Sequence, residues 1–344
     1  MIQLNKIPNT KIIVKDKVYL FFSGTSYLGI SSLTKFQKIV AKKTKKWGTA
    51  YGSSRKANIQ LNIYKKAELF FAKFLQKEQS VTVSSGTLAG IFSLRALAKL
   101  TDVFFYMPKT HPAILRDGAV PIYTVNNVLN TELLKLKNKT ICILSDAIAM
   151  LETAPFSFNF LDKIHASNTI YVLLDESHSL GVLGENGCGI SNQITKNKRV
   201  KIIITSSLGK AFGINGGVIA GDKKIIEIIK KDSLFIGSAG MSAAYLDAFM
   251  QAQKKGIYKK QLVKLKKNVA YVFSKLEGNN QINATESYPV FFHKNEEIGD
   301  KLMLKNIIIT SFYYPTSNKK INRIVINANH TKAQLNLLIK SLSS

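Results

Sequence analysis

Three short stretches of the chain carry residue types that could do chemistry. The first, Ser84-Ser85-Gly86-Thr87-Leu88-Ala89-Gly90, follows the apolar run Val81–Val83 and opens a helical pattern. Small residues at a helix start leave backbone N–H groups free, and the helix dipole adds to their pull on a phosphate. The second is Val172-Leu173-Leu174-Asp175-Glu176-Ser177-His178, where an apolar run ends in an acid. A carboxylate in such a place is costly unless it is paired or put to use. The third is Ile203–Gly213, in which Lys210 sits in a loop of Ser206, Ser207, Gly209 and Gly213. A desolvated lysine loses pKa, and a neutral amine near neutral pH is what Schiff-base chemistry requires. Taken singly, the first and third read more readily as a connecting turn and a surface lysine, and the second reads equally well as a capping acid. Together they occur in one order, with 35 residues from Asp175 to Lys210. A lysine amine, an acid for a pyridinium nitrogen and a phosphate cradle are the set that pyridoxal phosphate needs.

Such residues act together only if the fold brings strand ends side by side. The sequence offers strands at Val81–Val83, Val103–Tyr106, Ile122–Thr124, Ile141–Leu144, Ile170–Leu174, Lys201–Thr205 and Gly217–Ala220. Several are apolar throughout, the pattern of strands covered on both faces of a parallel or mixed sheet. Helical stretches at Ile63–Leu75, Thr87–Leu100 and Lys223–Lys231 fall between them. This alternation predicts an α/β layered domain over residues 45–225, with chemistry at the C-terminal strand ends. Beyond it, Met241–Leu276 reads as one or two long helices. Strands follow at Tyr288–Phe292, Ile307–Tyr314 and Arg323–Asn327, then a helix at Lys332–Leu342. Residues 226–344 are thus expected to form a smaller α+β domain. Residues 1–44, with a candidate hairpin of Ile12–Val14 and Val18–Phe22, are expected to pack with it.

At these residues the chain resembles the α-oxoamine synthases, a family of fold-type-I pyridoxal-phosphate enzymes. Asp175-Glu176-Ser177-His178-Ser179-Leu180-Gly181 is similar to the family's strand-end signature, and Ser207-Leu208-Gly209-Lys210-Ala211-Phe212-Gly213 to its lysine loop. Tyr27-Leu28-Gly29, Gly52-Ser53-Ser54-Arg55 with Glu68, Met107–His111, and Arg323 ahead of His330-Thr331 match further elements, over residues 18–340. The resemblance implies a mostly parallel seven-stranded sheet in a large domain. It also implies a decarboxylative condensation of an amino acid with an acyl thioester, giving an α-amino ketone. Lys210 would carry the cofactor and move the α-proton, Asp175 would face the ring nitrogen and His111 would stack on the ring. His178 would hydrogen-bond oxygen atoms. Gly86, Thr87 and Ser207 would hold the phosphate or hydroxyl, and Arg323 the amino-acid carboxylate. Family members are homodimers, so Ser238 of the partner subunit is expected at the phosphate. Within the family the expected pair is L-alanine with a pimeloyl thioester; glycine or serine with another acyl thioester is the alternative, and an aminotransferase a more distant one. The chain departs from the family at Thr25-Ser26, where an asparagine usually stands beside the substrate. It departs again at Cys188, which replaces an arginine, and near Ala149-Met150, where a serine is usual.

The charge is the feature these motifs do not explain: 49 basic against 21 acidic residues, formally +28. Nucleic-acid binding is the first thought. Yet only Arg55, Arg95, Arg116, Arg199 and Arg323 are arginines, and the lysines are spread along the chain, clustering at 42–46 and 254–267. Lysine is a solvated point charge without arginine's bidentate fork. Lysine on outer helix faces, or a positive field for coenzyme A or an acidic acyl carrier protein, fits better. A composition of 46% hydrophobic and 20% charged residues excludes a mostly disordered chain. No apolar run is long enough to span a membrane, and Met1–Lys6 begins no signal core. Cys142 and Cys188 give no disulfide framework and suit a reducing cytoplasm.

Overall fold

The computed structural model describes residues 2–195, 197–313 and 319–343. The chain starts with a hairpin, β1 (Lys11–Val14) and β2 (Lys17–Phe22), then α1 (Thr34–Trp47) and α2 (Asn62–Phe74). The layered part follows: β3 (Gln79–Val83), α3 (Gly86–Leu97), β4 (Val103–Tyr106), β5 (Val120–Pro121), α4 (Thr131–Lys135), β6 (Thr140–Asp146), β7 (Thr169–Asp175), β8 (Val200–Ser207), β9 (Gly217–Gly221) and α5 (Lys223–Lys230). After it come α6 (Ser233–Gly237), α7 (Ala243–Lys254), α8 (Ile257–Leu276), β10 (Ile282–Asn283), β11 (Val290–His293), α9 (Ile298–Leu304), β12 (Ile307–Tyr313), β13 (Lys320–Val325) and α10 (Lys332–Ser343).

Seven strands form the larger sheet in the order β3-β9-β8-β7-β6-β4-β5, with β9 alone antiparallel to its neighbours. Its central strands read as unbroken apolar runs because both faces are covered. Ile141, Ile143, Ile170, Val172, Ile202 and Ile204 pack on one side. Cys142, Leu144, Tyr171, Leu173 and Ile203 alternate with them and pack on the other, against Ala89, Phe92 and Ala96 of α3. The register aligns Asp146, Asp175 and Thr205 in one row across β6, β7 and β8. Three strand ends that are far apart in sequence thereby open on one place.

The second sheet, β1-β2-β12-β13-β11-β10, joins the N-terminal hairpin to the C-terminal strands through the parallel pair β2–β12. Val14 pairs with Lys17 across a two-residue turn in which Lys15 and Asp16 both take positive φ (46° and 61°), the type I′ geometry that suits strand twist.

Some elements differ from their sequence expectation. The strand expected at Ile122–Thr124 is β5, two residues earlier. Thr124 accepts from Asn127 N through its carbonyl and donates its amide to Val128 O, closing a turn that ends the extended run, and Tyr123 makes only an isolated bridge to Leu129. The stretch at Met241–Leu276, expected as one or two long helices, is two, α7 and α8, broken at Gly256. The strand expected at Ile141–Leu144 continues to Asp146. Tyr314, expected to end a strand, lies outside the described residues. On α8 the buried Tyr258, Leu262, Leu265, Val269, Val272 and Leu276 form one stripe, and Lys259, Lys260, Lys264, Lys266 and Lys267 are exposed between them. This lysine cluster therefore sits on a solvated helix face. No helix among the described residues is long and apolar enough to cross a membrane.

Candidate active site

The aligned strand ends open on a cavity of about 220 Å³ lined by Ser85, Gly86, Thr87, His111, Ala113, Asp146, Asp175, Ser177, His178, Ser207 and Lys210. All three sequence stretches reach it, although they come from different strands.

The α3 end is built by Ser85, whose Oγ accepts the amide of Leu88 at 3.1 Å. The amides of Gly86 and Thr87 stand in the first helical turn, where no helix carbonyl can reach them. A side chain at position 86 would not fit, since its Cβ would lie 2.6 Å from Ser207 Cβ. Gly90, a turn further along α3, is constrained in the same way. A Cβ there would sit 2.4 Å from Ala113 O, so its absence lets α3 lie against the turn that begins at His111. Upstream, Arg55 and Glu68 form an ion pair at 2.5 Å. Both also bond Thr82 of β3, Arg55 at its carbonyl and Glu68 at its amide. The approach to this turn is thereby clipped in place.

Asp175 ends β7, and its Oδ1 accepts the amide of Ser177 at 2.8 Å. Ser177 Oγ accepts the amide of Ser207 at 2.8 Å, which ties the acid's turn to the strand that carries the lysine loop. Glu176, the next residue, turns away. Fully buried, it accepts the amides of Ile190 and Ser191 and the hydroxyl of Ser179, and so folds the loop that contains Cys188. Burial pushes its carboxyl up to about 7.

The charges in the cavity act on one another. Burial lowers Lys210, against the opposing pull of Asp175 and Asp146, and Arg323 lowers it further. Burial, with Lys210, Arg323 and His111 nearby, holds His178 well below the usual histidine range, so its ring is neutral near pH 7. Asp146 is pushed up to about 8, by burial first and by Asp175 second. Sequence reading missed Asp146. Its Oδ2 accepts the amide of His111 at 2.7 Å, and His111 Nδ1 accepts that of Ala113 at 3.1 Å, which leaves Nε2 as the ring's N–H. The signal that marked Asp175, an acid closing an apolar strand, is present at Ser145-Asp146 as well.

Arg323 lies behind His178. Its Nη1 donates to Gly24 O at 3.0 Å and its Nη2 to the Tyr27 hydroxyl at 2.9 Å, and that hydroxyl is 2.8 Å from His178 Nδ1. Its Nε is buried and makes no hydrogen bond among the described residues, and Arg323 itself stands behind the residues that line the cavity. Thr25 does not line the cavity. It belongs to a neighbouring cleft of about 290 Å³, with Gly24, Ser31, Gly209 and Asn215. Ser238 follows α6, where its Oγ donates to Phe235 O at 3.0 Å, outside both spaces. The free amides of α3 and an acid beside a depressed lysine amine fit an anionic, phosphate-bearing ring.

Comparison with known proteins places the chain in a family and a fold. The family described as Aminotransferase class I and II matches residues 26–342. An 8-amino-7-oxononanoate synthase of Petrotoga mobilis is 28% identical, covering 95% of this chain and 88% of that protein. A serine palmitoyltransferase of Sphingobacterium spiritivorum is 25% identical, covering 97% and 88%. In three dimensions a serine palmitoyltransferase of Sphingomonas wittichii superposes with a TM-score of 0.83 at 15% identity, over 99% of this chain and 90% of that one.

Proposed function

Because the chain belongs to the class I and II aminotransferase family of pyridoxal-phosphate enzymes, we propose that it joins an amino acid to an acyl thioester, releasing carbon dioxide and the free thiol and leaving an α-amino ketone. L-Alanine and a pimeloyl thioester are the substrates we favour, as in the 8-amino-7-oxononanoate synthases it is similar to. The observation that carries the reading is the gathering of Lys210, Asp175, His178, His111 and the amide end of α3 around one cavity.

Bound there, pyridoxal phosphate supplies an electron sink for the pair left on the substrate's α-carbon. The chain's own residues do the rest. The amides of Gly86 and Thr87, with Ser207, hold the phosphate at the positive end of α3. Asp175 holds a proton at the ring nitrogen, and its own turn is fixed by Ser177. His111 covers one face of the ring from a backbone pinned by Asp146. Lys210, its amine depressed by burial, takes the α-proton and later returns one. His178 donates to oxygen where negative charge gathers. Arg323, behind His178, is the residue assigned to the amino-acid carboxylate, with Thr25 in the neighbouring cleft as a second contact to the substrate. In a homodimer, Ser238 of the partner subunit completes the phosphate site. The lysine-rich surface suits an anionic thioester carrier, coenzyme A or an acidic carrier protein, in the cytoplasm.

A serine-using member of the family is the second reading, favoured by the serine palmitoyltransferase relative. Purified protein given pyridoxal phosphate, pimeloyl-coenzyme A and each of alanine, glycine and serine separates the two. Alanine-dependent carbon dioxide release that matches thiol release supports the first. Release with serine alone, given a long-chain thioester, supports the second. Amino-group transfer to a keto acid without carbon dioxide overturns both.

A further inference from the structure

We propose that Tyr27 is a positioning residue that fixes His178 in its Nε2–H form, so that the ring offers the cavity a hydrogen-bond donor and no base. The catalytic meaning of this relay rests on the cavity being the reaction site. The relay itself involves only Tyr27, His178, Arg323 and Tyr288.

The placement of the protons decides the form. The Tyr27 oxygen has three neighbours: Arg323 Nη2 at 2.9 Å, His178 Nδ1 at 2.8 Å and the Tyr288 hydroxyl at 3.4 Å. Guanidinium nitrogens only donate, so the Tyr27 oxygen accepts from Arg323. The single phenol proton then has two places to go. Hydroxyl hydrogen bonds to oxygen span about 2.5–3.0 Å, so the 3.4 Å contact to Tyr288 is the weaker one and His178 Nδ1, at 2.8 Å, is the favoured receiver. A nitrogen that receives a proton cannot also carry one in a neutral ring. The hydrogen must be on Nε2. His178 is indeed neutral, because burial and the positive charges of Lys210 and Arg323 disfavour imidazolium.

Two further features keep the relay from reorganising. Tyr27 is 0% exposed, and its ring packs edge-on to His178 at 61° and tilted against Tyr288 at 54°. Its backbone is held at both ends, the amide by Thr25 O at 2.9 Å and the carbonyl by Ala328 N at 3.0 Å. Arg323 is anchored independently on Gly24 O. The ring is therefore held with its hydroxyl against His178 Nδ1, and the longer contact to Tyr288 is its one alternative among the described residues. Since Nδ1 faces Tyr27, the ring edge bearing Nε2 is the one left for the cavity that His178 lines. A donor locked in this way selects an oxygen acceptor and strengthens as that oxygen gains negative charge. It cannot abstract a proton, which leaves proton removal to Lys210.

The test is the imidazole ¹⁵N spectrum of the full chain, labelled at its five histidines, with and without pyridoxal phosphate. Loss of one signal set in His178→Gln assigns the residue. Wild type is expected to show the Nε2–H pattern even without the cofactor. Tyr27→Phe, which keeps the ring and removes the hydroxyl, is expected to shift His178 to a mixture of forms and to lower kcat about tenfold, with little change in amino-acid KM. Tyr288→Phe is expected to keep the wild-type His178 pattern. An Nδ1–H pattern in wild type overturns the proposal whether or not any variant folds. So does an unchanged pattern in folded Tyr27→Phe, or a changed one in Tyr288→Phe. Absence of condensation activity in wild type, with the Nε2–H pattern present, would count against the proposed reaction and leave the relay standing.

Discussion

Asp146 and Asp175 stand in register at the ends of neighbouring parallel strands, and both line the cavity that holds Lys210. Two buried carboxyls side by side resist joint ionisation. Here Asp146 is the one pushed up, to about 8. Asp146 thus shares the site's charge with Asp175 and Lys210 while it holds the backbone of His111.

This gives a pH signature. The unfolded carboxyl loses its proton near 3.8 and the folded one near 8, so between those values the folded chain binds more protons. Its stability contribution is complete at low pH and is lost as pH rises towards 8. Asp146→Asn removes the titration and still accepts from the His111 amide. Thermal melts of cofactor-free protein at pH 5, 7 and 9 should show this variant gaining stability relative to wild type as pH rises. A constant difference across that range would show that Asp146 ionises normally.

Gly86→Ala puts a Cβ 2.6 Å from that of Ser207. Overpacking of this kind costs about 1–3 kcal/mol. It also separates α3 from the lysine loop, so we expect a lower melting temperature and weaker pyridoxal phosphate binding in a fluorescence titration. Unchanged affinity would place the phosphate elsewhere.

Glu68→Ala leaves Arg55 mostly buried and without its partner, a loss of roughly 3–5 kcal/mol. The double replacement Arg55→Met with Glu68→Leu should recover most of it in urea unfolding. Failure to recover would mean that the bonds to Thr82, rather than the ion pair, hold the segment.

Arg323→Ala should raise amino-acid KM roughly 10- to 100-fold, the effect of losing hydrogen bonds to a charged group. Steady-state kinetics at saturating thioester reads it directly. An unchanged KM would remove Arg323 from the substrate site.

Much of the site is legible in the sequence wherever the signal is local. Asp175, His178 and Lys210 each follow an apolar strand within a few residues, so reading strand ends finds them. Asp146 carries the same signal, but the apolar run before it ends at Leu144. The polar Ser145 comes between, so β6 reads as shorter than it is and the acid escapes notice. The shift at β5 comes from the turn at Thr124–Val128, whose hydrogen bonds no alternation pattern shows. Helix α1 gives little signal because Phe36 and Ile39 are its only buried residues and lysine dominates the rest. The Tyr27–His178 bond joins residues 151 positions apart, a contact that only the packed fold creates. The shape of the cleft beside Thr25 depends on N-terminal and loop segments brought together in the same way.

The central claim is that this cavity binds pyridoxal phosphate on Lys210. The direct measurement is borohydride reduction of the protein with the cofactor bound, followed by digestion and mass spectrometry. A phosphopyridoxyl group on Lys210 at near one per chain is the expected result, with none there in Lys210→Ala. A label scattered over surface lysines, with Lys210 unmodified, would contradict it.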